Sequence, residues 1–189
     1  MNKELNQTRS LVLMALMVAL TMVGTYIIRI PVPATQGYIH MGDAFLFLSV
    51  ILLGGKRGAV SGALGETLAD LLAGYAAFAP ITFVVKCLMG LVIGYAVRLY
   101  QLHGGKEKEE KGKQKSIFCL SAFLALLCAG GVMILGYYLG ESLMYGSWVT
   151  PLVEIPMNIL QFAVGVILGT AAGKLLGNSP VGRYYYRYK

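Results

Sequence analysis

Long apolar blocks separated by short polar turns run through this chain, and its basic residues lie almost entirely on one side of them. Six blocks can be laid across a bilayer, at about 10–28, 41–53, 59–73, 80–100, 117–139 and 151–176. A hydrocarbon core of ~30 Å asks for ~20 apolar residues per helix, so the second and third blocks are short for the task. On this plan fourteen of the sixteen Lys and Arg residues face the same side. They are Lys3 and Arg9, Lys56 and Arg57, Arg98 with the five lysines of the following connection, and the last four of the chain. Arg29 and Lys86 are the exceptions. Basic connections mark the cytoplasmic side, and an even number of spans returns both termini to it. The expectation is an all-α polytopic membrane protein of the plasma membrane, bacterial in type. It has one domain over 1–189, six transmembrane helices, cytoplasmic termini and a charged cytoplasmic linker at 101–116.

Composition supports the same class. Hydrophobic residues make up 57% and charged residues 13% of the 189, against about 45–50% and about 25% in soluble domains. Too few polar faces remain to coat a water-soluble bundle. The formal charge of +7 is explained by the orientation signal, and no basic motif interleaved with aromatics points to nucleic acid. Cys87, Cys119 and Cys128 all fall inside apolar blocks without metal spacing, as small packing residues. The first block follows Lys3 and Arg9 like a signal peptide, but its length and the blocks behind it favour an uncleaved first helix.

Intramembrane charge is scarce and clustered. A charge at mid-bilayer costs about 2.5–3.5 kcal/mol, so such residues face a protein interior or a cavity. Counting down from the outward helix ends at ~1.5 Å per residue, Asp70, Lys86 and Glu66 lie at ~6, ~9 and ~12 Å. Glu66 and Asp70 share a face at a spacing of four. Lys86 with one carboxylate makes a structural ion pair between the third and fourth helices; the charge left over can serve a ligand. Glu154, Asn158 and Gln161 form a polar stripe on the sixth helix, able either to bond between helices or to read a heterocycle edge. The outward connections carry Gln36, Tyr38, His40, Tyr75, Phe78, Tyr137, Tyr138, Tyr145 and Trp148. Such aromatics serve interfacial belts or stack on a flat ligand. No HExxH, GxSxG, Walker or acidic metal motif is present. The chain therefore reads as a non-enzyme with no cofactor and no metal.

The stretch GYIHMGDAFLFLSVILLGGKRGAVSGALGETLADLLAGYAAFAPITFVVKCLMGLVIGY at 37–95, with ALMVA in the first helix and EIPMNILQ in the sixth, resembles the S components of energy-coupling factor (ECF) vitamin transporters. The likeness is to the group for riboflavin, pyridoxine or hydroxymethylpyrimidine and extends over nearly the whole chain. It implies a six-helix protein that binds one vitamin from outside, then docks on a transmembrane coupling (T) subunit carrying two ATPases. It implies docking through the small-residue face of the first helix, here Ala15 and Ala19, and a lid in the first outward loop, here residues 30–41. Ligand contacts are implied in the outer parts of helices four to six and the loops, where Lys86, Tyr138 and Asn158 stand.

The expected partners are a small vitamin, the T and ATPase subunits and the lipid bilayer, with no nucleic acid. Pyridoxine or hydroxymethylpyrimidine is favoured as cargo and riboflavin comes next; Lys86 leaves an anionic vitamin open. The expected binding residues are Gln36, Tyr38, His40, Asp70, Tyr75, Lys86, Tyr138, Trp148, Glu154 and Asn158. Two other classes are a self-sufficient small transporter or channel relaying ions through Glu66, Asp70 and Lys86, and an intramembrane enzyme built on the carboxylate pair.

Overall fold

The computed structural model describes residues 2–32, 37–106 and 120–178. Helix α1 (Asn2–Ile27) is followed by strands β1 (Arg29–Val32) and β2 (Gly37–His40), then α2 (Gly42–Leu53), α3 (Gly55–Leu72), α4 (Ala79–Lys106) and α5 (Leu120–Tyr145). A 3-10 turn at Thr150–Glu154 leads into α6 (Ile155–Asn178). Residues 107–116 of the charged linker, and Cys119, lie outside the described residues.

Four segments are long and apolar enough to cross a membrane: Gln7–Ile27, Ala79–Leu99, Phe123–Tyr145 and Thr150–Leu176. Aliphatic residues such as Leu11, Leu16, Val84, Leu88, Leu127, Leu135, Ile159 and Ile167 stand exposed on their outer faces, as a lipid solvent requires. The protein is a multi-pass membrane protein. The two remaining helices differ: α2 has 12 residues, or ~18 Å, and α3 carries Glu66 and Asp70 on its buried side. Helix α2 is enclosed by the others, whereas α3 keeps an exposed apolar face at Val60, Leu64, Leu68 and Leu72. Helix α3 packs on α1, α2 and α4, while α2 also packs on α6 and α4 on α5.

Small residues set these contacts. Gly165, Gly169 and Gly173 form a stripe on α6 at a spacing of four. Added Cβ atoms there would lie 2.6 Å from Asp43, 2.3 Å from Phe47 and 2.9 Å from Ile51 of α2. Where α3 crosses α4, a Cβ on Gly94 would stand 2.3 Å from the Gly55 Cα, so the two backbones touch. Gly54, with φ of 85°, takes the left-handed conformation that reverses the chain between α2 and α3. Leu46, Phe47 and Val50 of α2, Val85, Met89 and Ile93 of α4, and Ala129, Met133 and Tyr137 of α5 form the main apolar core.

The expectation of an all-helical chain needs one amendment. The connection between α1 and α2 contains an antiparallel hairpin, with Arg29 opposite His40 and Val32 opposite Gly37. Pro31 cannot continue α1 and favours extended backbone, and the run Gly37–His40 pairs with it. The Arg29 guanidinium, one of the two outlying basic residues, lies over the Tyr26 ring at 4.6 Å. A second difference is that α5 runs to Tyr145, past the expected end at 139. Nothing in Glu141–Tyr145 breaks a helix, and Gly146, with φ of 62°, ends it. Glu141 and Tyr145 are thus helical residues rather than loop residues.

Candidate functional site

The short length of α2 creates the site. Because this helix starts well inside the protein, Asp43 in its first turn is fully buried, although it stands at the very start of the expected block 41–53. Gly42 makes this possible: a Cβ there would lie 2.1 Å from Thr25 Oγ1 and 2.8 Å from His40 Nδ1. Lys86 of α4, at 0% exposure, donates to Asp43 Oδ1 and stands 3.2 Å from Glu66 Oε2. Its ammonium also lies 5.6 Å from the Tyr137 ring centre. The cation is therefore enclosed by two carboxylates and an aromatic face, the compensation that burial of a charge demands.

The network continues upward into the hairpin. Gln161 Nε2 donates to Asp43 Oδ2 at 2.8 Å, and Gln161 Oε1 accepts the His40 backbone N–H at 2.9 Å. The His40 ring is held in place by the Gly42 N–H, which donates to Nδ1 at 3.1 Å. Burial, helped by the nearby Lys86 charge, lowers the His40 pKa to about 3, so its ring is neutral and its 3.8 Å approach to Glu66 is no ion pair. Tyr38 donates to Asp70 Oδ1 at 2.5 Å. Burial and the Asp70 charge push the Tyr38 phenol far above its ordinary range. The base of the hairpin is thus bonded to α6 and its second strand to α3.

Above the ion cluster, on the hairpin side of the protein, lies a cavity. Tyr38, His40, Asp70, Phe78, Thr82, Tyr137, Glu141, Glu154, Asn158 and Gln161 line about 360 Å³ of atom-free space, part of it open. Tyr137 donates to Thr82 Oγ1 at 3.4 Å. Around the mouth runs a chain of rings: Tyr38 tilts on Tyr75 at 4.6 Å between centroids, Tyr75 meets Phe78 edge-on at 6.0 Å, and Phe78 meets Tyr145 at 6.3 Å. Such a lining of rings with a few placed polar groups suits a small flat ligand. No group of three or more potential metal ligands occurs among the described residues.

Of the expected binding residues, Tyr38, His40, Asp70, Glu154 and Asn158 meet in this cavity, and Tyr75 stacks on its rim. Lys86 lies beneath it, consumed by Asp43 and Glu66. Tyr138 and Trp148 pack on each other at 6.2 Å outside the cavity, with Tyr138 donating to the Trp148 carbonyl and Trp148 58% exposed. Gln36 lies outside the described residues. Ala15 and Ala19 are exposed on the outer face of α1. The ten expected binding residues did not include Asp43, Thr82, Tyr137, Glu141 or Gln161, although Tyr137 and Gln161 stood among the wider candidates. Three of these carried a signal. Ala129, Met133, Tyr137 and Glu141 recur every four residues and so share one face of α5; Gln161 closes the polar stripe begun by Glu154.

Residues 5–177 match the model of the family described as ECF-type riboflavin transporter, S component. An "uncharacterized protein in gap 3'region" of Pyrococcus woesei is 30% identical over 154 residues, which cover 82% of this chain and 92% of that protein. The thiamine precursor transporter HmpT of Lactococcus lactis subsp. cremoris is 26% identical over 169 residues, 89% of this chain and 87% of its own.

Proposed function

Since the chain belongs to the family of ECF-type riboflavin transporter S components, a family of transporter subunits rather than enzymes, we propose that it is the high-affinity binding subunit of an ECF-type importer. It captures one small water-soluble vitamin or vitamin precursor from outside. It then docks through the Ala15 and Ala19 face of α1 on a T subunit with two ATPases. Both termini are cytoplasmic and the cell membrane is its site. The observation that carries this reading is the cavity that the hairpin borders through Tyr38 and His40, lined by rings and hydrogen-bonding groups. Its contents suit binding and release, not turnover.

A lining that mixes rings with several hydrogen-bonding groups favours a small polar ring such as pyridoxine or hydroxymethylpyrimidine, with riboflavin next. Similarity to a thiamine precursor transporter supports the same choice. An acidic vitamin loses its argument, because the Lys86 ammonium that would attract it is fully buried and already paired.

The test is native mass spectrometry of the detergent-purified protein, followed by uptake in proteoliposomes. A small molecule should co-purify at one per chain, with no uptake unless T and ATPase subunits are added. Robust uptake by this chain alone would sink the reading and favour an ion-relay transporter. Replacing Ala15 or Ala19 by Trp should abolish reconstituted uptake while leaving binding unchanged; lost binding would place α1 at the pocket instead.

A further inference from the structure

Arg29 is a cation that the protein itself leaves without an anion. The apolar span of α1, Gln7–Ile27, has 21 residues, which at ~1.5 Å per residue matches a hydrocarbon core of ~30 Å. Arg29 follows just beyond its end and so falls at the level of the lipid phosphates. Its neighbours Tyr26, Ile27, Ile28 and Ile30 are all exposed. The guanidinium lies against the Tyr26 ring, 4.6 Å from its centre, and the residue is half-buried. Among the described residues Nη1 has no acceptor, and no carboxylate forms an ion pair with Arg29. The acids nearest the hairpin are committed elsewhere, Asp43 and Glu66 to Lys86 and Asp70 to Tyr38. A guanidinium has five N–H donors and no acceptor of its own. Orientation does not explain the residue either, since it stands at the opposite end of α1 from Arg9.

We propose that Arg29 and Tyr26 form a phospholipid headgroup site, in which the guanidinium takes the lipid phosphate and the exposed isoleucines meet the upper part of the acyl chains. The planar fork of Arg matches phosphate oxygens in pairs, and its weak hydration suits the edge of an apolar layer. Its apolar stem can lie along that layer while the charge reaches the headgroups. A Tyr ring belongs at the same depth, and its face against the guanidinium fixes the plane of the fork. The occupant is a lipid rather than an acidic protein partner, because the length of the span sets the charge among headgroups and its neighbours Ile27, Ile28 and Ile30 are apolar and exposed. The site has a structural consequence. Arg29 opens β1 opposite His40, while His40 and Tyr38 of β2 are bonded to α6 and α3. The hairpin beside the cavity is thus held by protein along one strand and by lipid at the root of the other.

The site is independent of the cargo and of the coupling subunits. The experiment is native mass spectrometry with thermal melting of the detergent-purified full chain, using four probes. These are phosphatidylglycerol, phosphatidylcholine, diacylglycerol with the same acyl chains, and inorganic phosphate. Both phospholipids should form a one-to-one adduct and raise the melting point, whereas diacylglycerol and inorganic phosphate should do neither. Arg29→Gln should bind the phospholipids about tenfold more weakly, the scale of a hydrogen bond to a charged group, and should lose the melting shift. Arg29→Lys should keep part of both, since a point charge remains without the paired donors. The comparison of phospholipid with diacylglycerol on the unmodified protein stands whether or not the variants fold. Equal phospholipid binding by the natural protein and Arg29→Gln, or equal effects of phospholipid and diacylglycerol, overturns the assignment. A melting shift with inorganic phosphate alone makes this a free-anion site and overturns it too. So does an Arg29→Gln variant that keeps its lipid but no longer assembles with the coupling subunits, the mark of an acidic protein partner.

Discussion

Without the ammonium of Lys86, Asp43 and Glu66 would face each other in a space sealed from water. Breaking a buried pair from one side costs about 3–5 kcal/mol, because the remaining charge is stranded. Lys86→Met should therefore lower the thermal melting point of the detergent-solubilised protein sharply, and an unchanged melt would refute the ion-cluster account. His40 makes a different prediction. Its folded pKa of about 3 lies below the ordinary value of about 6.5, so the unfolded chain binds the extra proton. Stability from this residue is complete above about pH 6.5 and declines toward pH 3, by up to ~1.4 kcal/mol per pH unit. His40→Asn, whose amide oxygen can take the Gly42 N–H, should melt with a flatter pH dependence than the natural protein over that window. Parallel curves would mean that His40 is charged or accessible.

At the scale of elements, the glycine stripe of α6 decides whether Gln161 reaches Asp43. Gly165→Leu puts carbon where the Asp43 Cβ already stands 2.6 Å away, and overpacking of this kind costs typically 1–3 kcal/mol. Ligand affinity should fall with the melting point as α6 moves off α2. Gly131→Ala on α5, where a Cβ meets nothing within 4 Å, should change neither; matched losses in both variants would contradict the α2–α6 contact. The four long helices were readable in the sequence because each of their apolar blocks outruns every connection. The matched depth of Glu66 and Lys86 was readable from rise per residue alone, and the structure sets them 3.2 Å apart. Asp43 was not readable: only the tertiary placement of a 12-residue helix shows that its first turn begins inside the protein. The hairpin escaped for a related reason, since its strands have four residues each and only their pairing distinguishes them from a loop. Tyr137 and Tyr138 are adjacent and chemically identical, and which one enters the cavity depends on the face that α5 turns to α4.

For the whole molecule, the apolar outer faces, the buried ion cluster and the cavity beside the hairpin divide three tasks. The first meet lipid, the second holds α2, α3, α4 and α6 together, and the third is left for a ligand. Thr82 is the residue where the last two tasks can be separated. It is 3% exposed, lines the cavity and accepts from Tyr137 without contributing to the Lys86 cluster. The most direct measurement is isothermal titration of the natural protein and of Thr82→Phe, matched in melting behaviour, with the hydroxymethyl aminopyrimidine, pyridoxine and riboflavin. The account predicts one-to-one binding of one of these by the natural protein and its loss when the added ring fills the cavity. Equal binding by both proteins would place the ligand elsewhere and contradict the account.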